Sequence, residues 1–146
     1  MSHIEERLAE LGFSVPELAK PVAAYVPAVI SGNLVFTSGQ LPFVGGMLAV
    51  TGKVGAAVDA QTAKGLAATC VLNGLAAAQS VIGSLDRITR VVKVVGFVGQ
   101  PGVINGASEL LGEIFGDAGT HARSAVGVAV LPLDSAVEVE FVFEFA

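Results

Sequence analysis

The residues best suited to chemistry lie near the end of the sequence. Arg123 sits in the stretch Thr120–Val130, and Glu138, Glu140 and Glu144 punctuate the run Val137–Phe145. A guanidinium is a rigid fork that matches a carboxylate bidentately, and a carboxylate can orient or deprotonate water. Side chains alternate across a strand, so Arg123, Ala125, Gly127 and Ala129 share one face while Val126, Val128 and Val130 take the other. Beyond a turn at Pro132–Ala136, Val137, Val139, Phe141, Phe143 and Phe145 alternate with the glutamates. Burying the valine and phenylalanine faces predicts a hairpin with Arg123 and the three glutamates on one face, above a floor of Ala and Gly. Such a shallow cleft suits a small anion.

Other chemistries lack their residues. No glycine-rich phosphate loop and no spaced-glycine dinucleotide fingerprint is present. Two histidines and one cysteine, far apart, cannot form a structural zinc site. His121 and Ser124 are three apart on an extended chain and so face opposite ways, which argues against a nucleophile–base pair. His121, close to Arg123, is read either as a lining residue of the cleft or as a hydrogen-bonding residue at a loop end. Cys70 is alone in a helix-like run, so it has no disulfide partner and reads as a small buried hydrophobe. The net charge is −5 and the Lys and Arg residues are scattered, which disfavours nucleic acid as a partner.

The elements that must position Arg123 and the glutamates follow from pattern. Ser2-His3-Ile4-Glu5 matches a capping box and predicts a short amphipathic helix ending at Gly12, a packing arm without chemistry. Ala23–Ile30 and Leu34–Ser38, split by Ser31-Gly32-Asn33, predict a hairpin, and Met47–Val50 a short further strand. Asp59 should cap a long Ala-rich helix to Ile82, with Ala63, Ala67, Val71, Leu75 and Ala78 on its packing side and Gly83 as its stop. Ile88–Val98 reads as a strand. Pro101-Gly102 opens a second helix, which Gly116 closes. The result is one α+β domain over residues 1–146, with residues 1–20 as a helical arm and the order β-β-α-β-α-β-β. Both helices are expected on one sheet face.

Apolar residues make up 53% of the chain and charged residues 14%, too few charges to cover a monomer of this size comfortably. The second sheet face has no helix to cover it, so oligomerisation is expected. The uncharged stretch Pro21–Gly52 is cut by Pro and Gly into pieces far shorter than the roughly 20 apolar residues of a spanning helix, so no membrane association is expected. The lone cysteine and the lack of a signal-peptide pattern lead to the expectation of a cytoplasmic protein.

Tyr25, the run Gly32-Asn33-Leu34-Val35-Phe36-Thr37-Ser38-Gly39-Gln40-Leu41-Pro42, Asn105, and Arg123-Ser124 through Leu131-Pro132 to Glu138-Val139-Glu140 resemble the Rid (YjgF) family, with its chorismate mutase-like fold, over about residues 22–145. The N-terminal helix, Asn105–Ser108 and His121–Gly127 are similar to the longer YjgF-like subgroup. The resemblance implies a homotrimer with clefts between subunits and sheets facing inward. It implies hydrolysis of reactive enamines or 2-imino acids to 2-keto acids and ammonia, with no metal or organic cofactor. In that reading Arg123 binds the substrate carboxylate and Glu138 orients water, while Tyr25, Ser38, Gly39 and Asn105 line the pocket. Ala125 stands where the family usually has Cys; the change costs little if that residue acts through its backbone and undermines deaminase activity if the thiol acts. A non-catalytic trimer that binds small carboxylates is the alternative, and RNA cleavage, the family's older label, fits the acidic composition worst. In the hairpin register Arg123 and Glu138 stand six residues apart, roughly 20 Å, too far to share one substrate. Either a bulge breaks that register or the two meet across a subunit boundary.

Overall fold

The computed structural model of the chain describes residues 2–18, 20–21 and 23–146. Helix α1 (His3–Glu10) starts at the expected capping box: Ser2 Oγ accepts the Glu5 N–H at 3.2 Å, and the Glu5 carboxylate accepts the Ser2 N–H at 2.8 Å. Asp86 accepts the N–H groups of His3 and Ile4 at 2.9 and 3.0 Å. These bonds favour the charged carboxylate and hold Asp86 below its usual range. With Leu8 fully buried, the helix is a docked arm.

The next strand is short, β1 (Ala28–Ser31), instead of the strand expected from Ala23. Pro27 has no N–H to give to a ladder, so pairing starts only after it. Gly32, at φ 60°, turns the chain into β2 (Leu34–Thr37), and Ser31 pairs with Leu34 across a two-residue loop. Met47–Val50 forms no strand; a single bridge joins Val44 to Met47 around Gly45 and Gly46.

Helix α2 (Ala60–Ile82) is capped by Asp59, whose Oδ1 accepts the Thr62 N–H at 2.7 Å. Ala63, Ala67, Val71, Leu75 and Ala78 are all fully buried, as their spacing predicts. Gly74 lies directly against the Phe141 ring, leaving no room for a Cβ. The helix is long and apolar enough to cross a bilayer, yet its apolar side is the core of the domain. Strand β3 (Ile88–Val98) follows, then a 3-10 turn (Pro101–Ile104), helix α3 (Asn105–Phe115), edge strand β4 (Ala122–Val126) and β5 (Val137–Phe145).

The sheet order is β1-β2-β5-β3-β4, with β5 antiparallel to both β2 and β3, and β4 parallel to β3. This corrects the expected β4–β5 hairpin. β3, α3 and β4 form a crossover unit that must pair β3 with β4 in parallel, and the 127–136 segment carries the chain back across β3 to the middle of the sheet. Arg123 therefore faces Val94 rather than Glu144, and the shared Arg–Glu face over an Ala/Gly floor does not form. The valine face of β4 is not buried either: Val126 and Val130 are exposed, because a two-sided core needs a second layer that β4 lacks at the edge.

Both helices lie on the face of Val94, Val137, Val139, Phe141 and Phe143, where the core sits. On the other face, Val29, Phe36 and Val126 are 51%, 39% and 45% exposed.

Candidate functional site

The residues singled out from sequence fall into two groups on different parts of the domain. The first lines a cavity of about 410 Å³ that gathers Tyr25, Ser38, Gly39 and Glu138, with Lys20 and Gln40 beside them. Ser38 ties its parts together: its hydroxyl donates to the Val26 carbonyl at 2.6 Å and its N–H to the Pro27 carbonyl at 2.8 Å, so the segment carrying Tyr25 is fastened to the end of β2. Gln40 pairs with Val139 through both backbone groups, at 2.8 and 3.0 Å, and its side chain donates to the Ser38 carbonyl at 3.0 Å. Asn73 on α2, only 3% exposed, donates to the carbonyls of Leu41 and Phe43 at 3.0 and 3.1 Å. These bonds pin the wall of the cavity to the core helix.

Glycine at position 39 leaves room for the Glu138 side chain as it is placed. A Cβ there would overlap the Glu138 carboxylate, which lies against the Gly39 backbone. Partial burial raises the pKa of Glu138 above the ordinary glutamate value, and the neighbouring charge of Glu140 raises it further. Of the two, only Glu138 lines the cavity. Cys70 is fully buried, and its thiol is pushed well above the usual range by burial first and by the Glu138 charge second. It is unreactive packing, as expected.

The second group surrounds Arg123 at the sheet edge. Arg123 Nη1 donates to Asn105 Oδ1 at 2.7 Å and to Ser108 Oγ at 3.3 Å. Ser108 Oγ lies 2.9 Å from His121 Nε2, and His121 Nδ1 lies 2.6 Å from the Gly119 carbonyl. Asn105 begins α3 and Ser108 follows one turn later, so both reach the same partner. Ala125 packs partly against the core.

One chain does not bring the two groups together. Arg123 is in register with Val94 and Phe141, and Glu138 with Phe97 and Val126. They are two strands apart, offset by three residues, and on opposite faces, with Cα atoms about 14 Å apart at normal strand spacings. Among the described residues no group of three His, Cys, Asp or Glu side chains is placed to hold a metal ion.

The sequence reading did not single out Lys20, Asn73 and Ser108. Asn73 had a signal, as a polar residue within the Ala-rich packing stripe of α2. Ser108 had one too, three residues after Asn105 on the same helix. Lys20 had none, since nothing local ties it to Glu138.

A five-stranded mixed sheet with two helices packed on one face defines an α+β fold. Residues 5–145 match the family described as YjgF/chorismate mutase-like, putative endoribonuclease, and the chain belongs to that family. It is 41% identical to Protein TCP17 of Trypanosoma cruzi, over 97% of this chain and 93% of that protein. The crystal structure of Atu1372 from Agrobacterium tumefaciens, a protein of unknown function, is 45% identical and superposes with a TM-score of 0.91, covering 99% of this chain and 93% of that one. A putative endoribonuclease from Shewanella oneidensis MR-1 is 33% identical with a TM-score of 0.93, covering 97% of this chain and 99% of that one.

Proposed function

We propose that this protein hydrolyses 2-imino acids and their enamine tautomers to 2-keto acids and ammonia, in clefts between the subunits of a homotrimer. The observation that carries this reading is the division of the site. The cavity holding Glu138 has no Arg123, and the edge holding Arg123 has no Glu138. A second copy seated against the first can supply the missing half, and the exposed Val29, Phe36 and Val126 give it an apolar surface to cover.

In the assembled cleft Arg123 holds the substrate carboxylate, which places the adjacent imine carbon for attack. Glu138 accepts a proton from water as the water oxygen bonds to that carbon and the C=N π pair moves onto nitrogen, and it passes this proton to the nitrogen to give the carbinolamine. Glu138 then takes the carbinolamine O–H proton and delivers it to the nitrogen, and the C–N bond breaks to release ammonia as the C=O bond of the keto acid forms. Tyr25, Ser38, Gly39 and Asn105 shape the cleft. A binding module without turnover is the second reading, and Ala125 in the place of the family's usual Cys favours it.

Glu138→Gln is expected to slow hydrolysis by about 10²–10⁴-fold, the usual worth of a positioned general base, while pyruvate binding changes little. Mixing subunits tests the boundary. Neither Arg123→Ala nor Glu138→Gln trimers should turn over, but co-refolding them in equal amounts should restore about a quarter of the wild-type clefts by random assembly. No recovery in mixed trimers, or a stable monomer by light scattering, would sink the shared-cleft reading.

The raised pKa of Glu138 gives a signed pH effect. A reaction that uses the carboxylate is fully active above that pKa and is lost as pH falls through it. Glu140 is one of the causes of the rise, so Glu140→Gln should move the acid limb of the kcat/KM profile to lower pH. A limb that stays put, or moves up, would remove Glu138 as the proton acceptor.

A further inference from the structure

We propose that Ser108 and His121 are positioning residues that hold the Arg123 guanidinium with its Nε–Nη2 edge open, so that the substrate carboxylate is taken side-on by those two nitrogens. The inference rests on the reading of Arg123 as the carboxylate anchor and specifies how the anchor is aimed.

Nη1 carries two hydrogens, and both are committed: one to Asn105 Oδ1 at 2.7 Å, the other to Ser108 Oγ at 3.3 Å. Among the described residues, Nε and Nη2 of Arg123 have no partner. Ser108 is itself oriented. The Gly119 carbonyl can only accept, so His121 Nδ1, 2.6 Å away, carries the ring hydrogen. In the neutral ring Nε2 is then an acceptor, and the Ser108 hydroxyl 2.9 Å away donates to it. That donation turns the oxygen lone pairs of Ser108 toward Arg123. Carbonyl, imidazole, hydroxyl and the guanidinium Nη1 thus form one directed relay.

The relay holds a flexible side chain still at the exposed edge of β4, where packing alone would leave it free to rotate. With Nη1 occupied, the end-on fork of Nη1 and Nη2 is unavailable to a ligand. The Nε–Nη2 edge offers an equivalent pair of parallel N–H groups. His121 touches no substrate in this arrangement; it acts through Ser108.

The test uses the full chain. Nitrogen-detected NMR of the arginine side chains, with Arg123 assigned by its loss in Arg123→Lys, measures how fast the guanidinium rotates. In the wild type Arg123 should rotate slowly. Ser108→Ala should speed rotation by about tenfold, the order expected for losing one oriented hydrogen bond, and raise KM for an in-situ-generated imino acid by a similar factor with a smaller change in kcat. His121→Ala should do the same more weakly, and the double variant should match Ser108→Ala alone, because His121 works through that hydroxyl. His121→Gln, which can place a carbonyl oxygen where Nε2 lay, should recover most of the loss. Unchanged rotation in Ser108→Ala, or effects of the two substitutions that multiply, would overturn the relay. A wild type whose Arg123 is held still but that neither binds pyruvate nor turns over would overturn the anchor reading instead, and with it the assignment of the open edge.

Discussion

Arg123→Ala is expected to lose nearly all of the proposed imino-acid hydrolysis while keeping its fold. The carboxylate of a 2-imino acid is bonded to the carbon that water attacks, so the group that fixes the carboxylate also aims the electrophile. Two charge-assisted hydrogen bonds, at about 1.5–3 kcal/mol each, put the loss in kcat/KM at roughly 10²–10⁴-fold. Lysine keeps the charge without the fork, so Arg123→Lys should fall between the wild type and Arg123→Ala. Stability should barely change, because the side chain is exposed and its partners Asn105 and Ser108 remain able to bond water. Ammonia release from an imino acid made by an amino-acid oxidase is the assay. Hydrolysis at the wild-type rate by a trimeric Arg123→Ala protein would remove the anchor, and membership of the family would then describe the fold alone.

Phe141→Ala is the substitution with the largest expected cost to stability. Phe141 is 1% exposed at the middle of β5, its ring stacks on Phe143 at a centroid distance of 5.7 Å, and it fills the space left by Gly74 on α2. Removing the ring strips contacts from helix and sheet at once and leaves a cavity that the rigid Gly74 contact cannot close. A cost of about 3–5 kcal/mol follows, and a fall in Tm of roughly 10–16 °C for a chain of this size. Phe141→Leu should cost much less, since it retains most of the volume. Urea unfolding in which Phe141→Ala shifts the midpoint no more than a surface substitution would place the centre of the core elsewhere.

The elements themselves were legible because their signals are local. Asp59 and Gly83 bracket α2 through a cap and a left-handed stop, and the alternation of Val137–Phe143 marks β5 on its buried side. Pairing was less legible, because an apolar run that reads as extended up to Val130, followed by a turn at Pro132–Ala136, makes a hairpin the natural reading. The crossover from β3 through α3 already required β4 to lie parallel to β3, and that topological constraint outweighs proximity in sequence. The site was legible as a set of residue types and opaque as an arrangement. Arg123 and Glu138 stood out by chemistry, but their faces depended on the pairing. Lys20 gained meaning only from neighbours distant in sequence.

The central place of β5 bears on how the chain acquires its structure. Until that strand inserts, β2 and β3 have no backbone partner between them, and the β1–β2 hairpin and the β3–α3–β4 unit are two pieces without a common sheet. The joining step closes loops from residue 36 to 142 and from 98 to 137, so the slow, entropically costly contacts fall on a single segment. Before that step, the facing edges of β2 and β3 are open to pairing with other chains. Substitutions that weaken β5 should therefore raise aggregation during refolding more than equally destabilising substitutions in α1, and the segment that carries Glu138 into its cavity is the same one that joins the two pieces of the sheet.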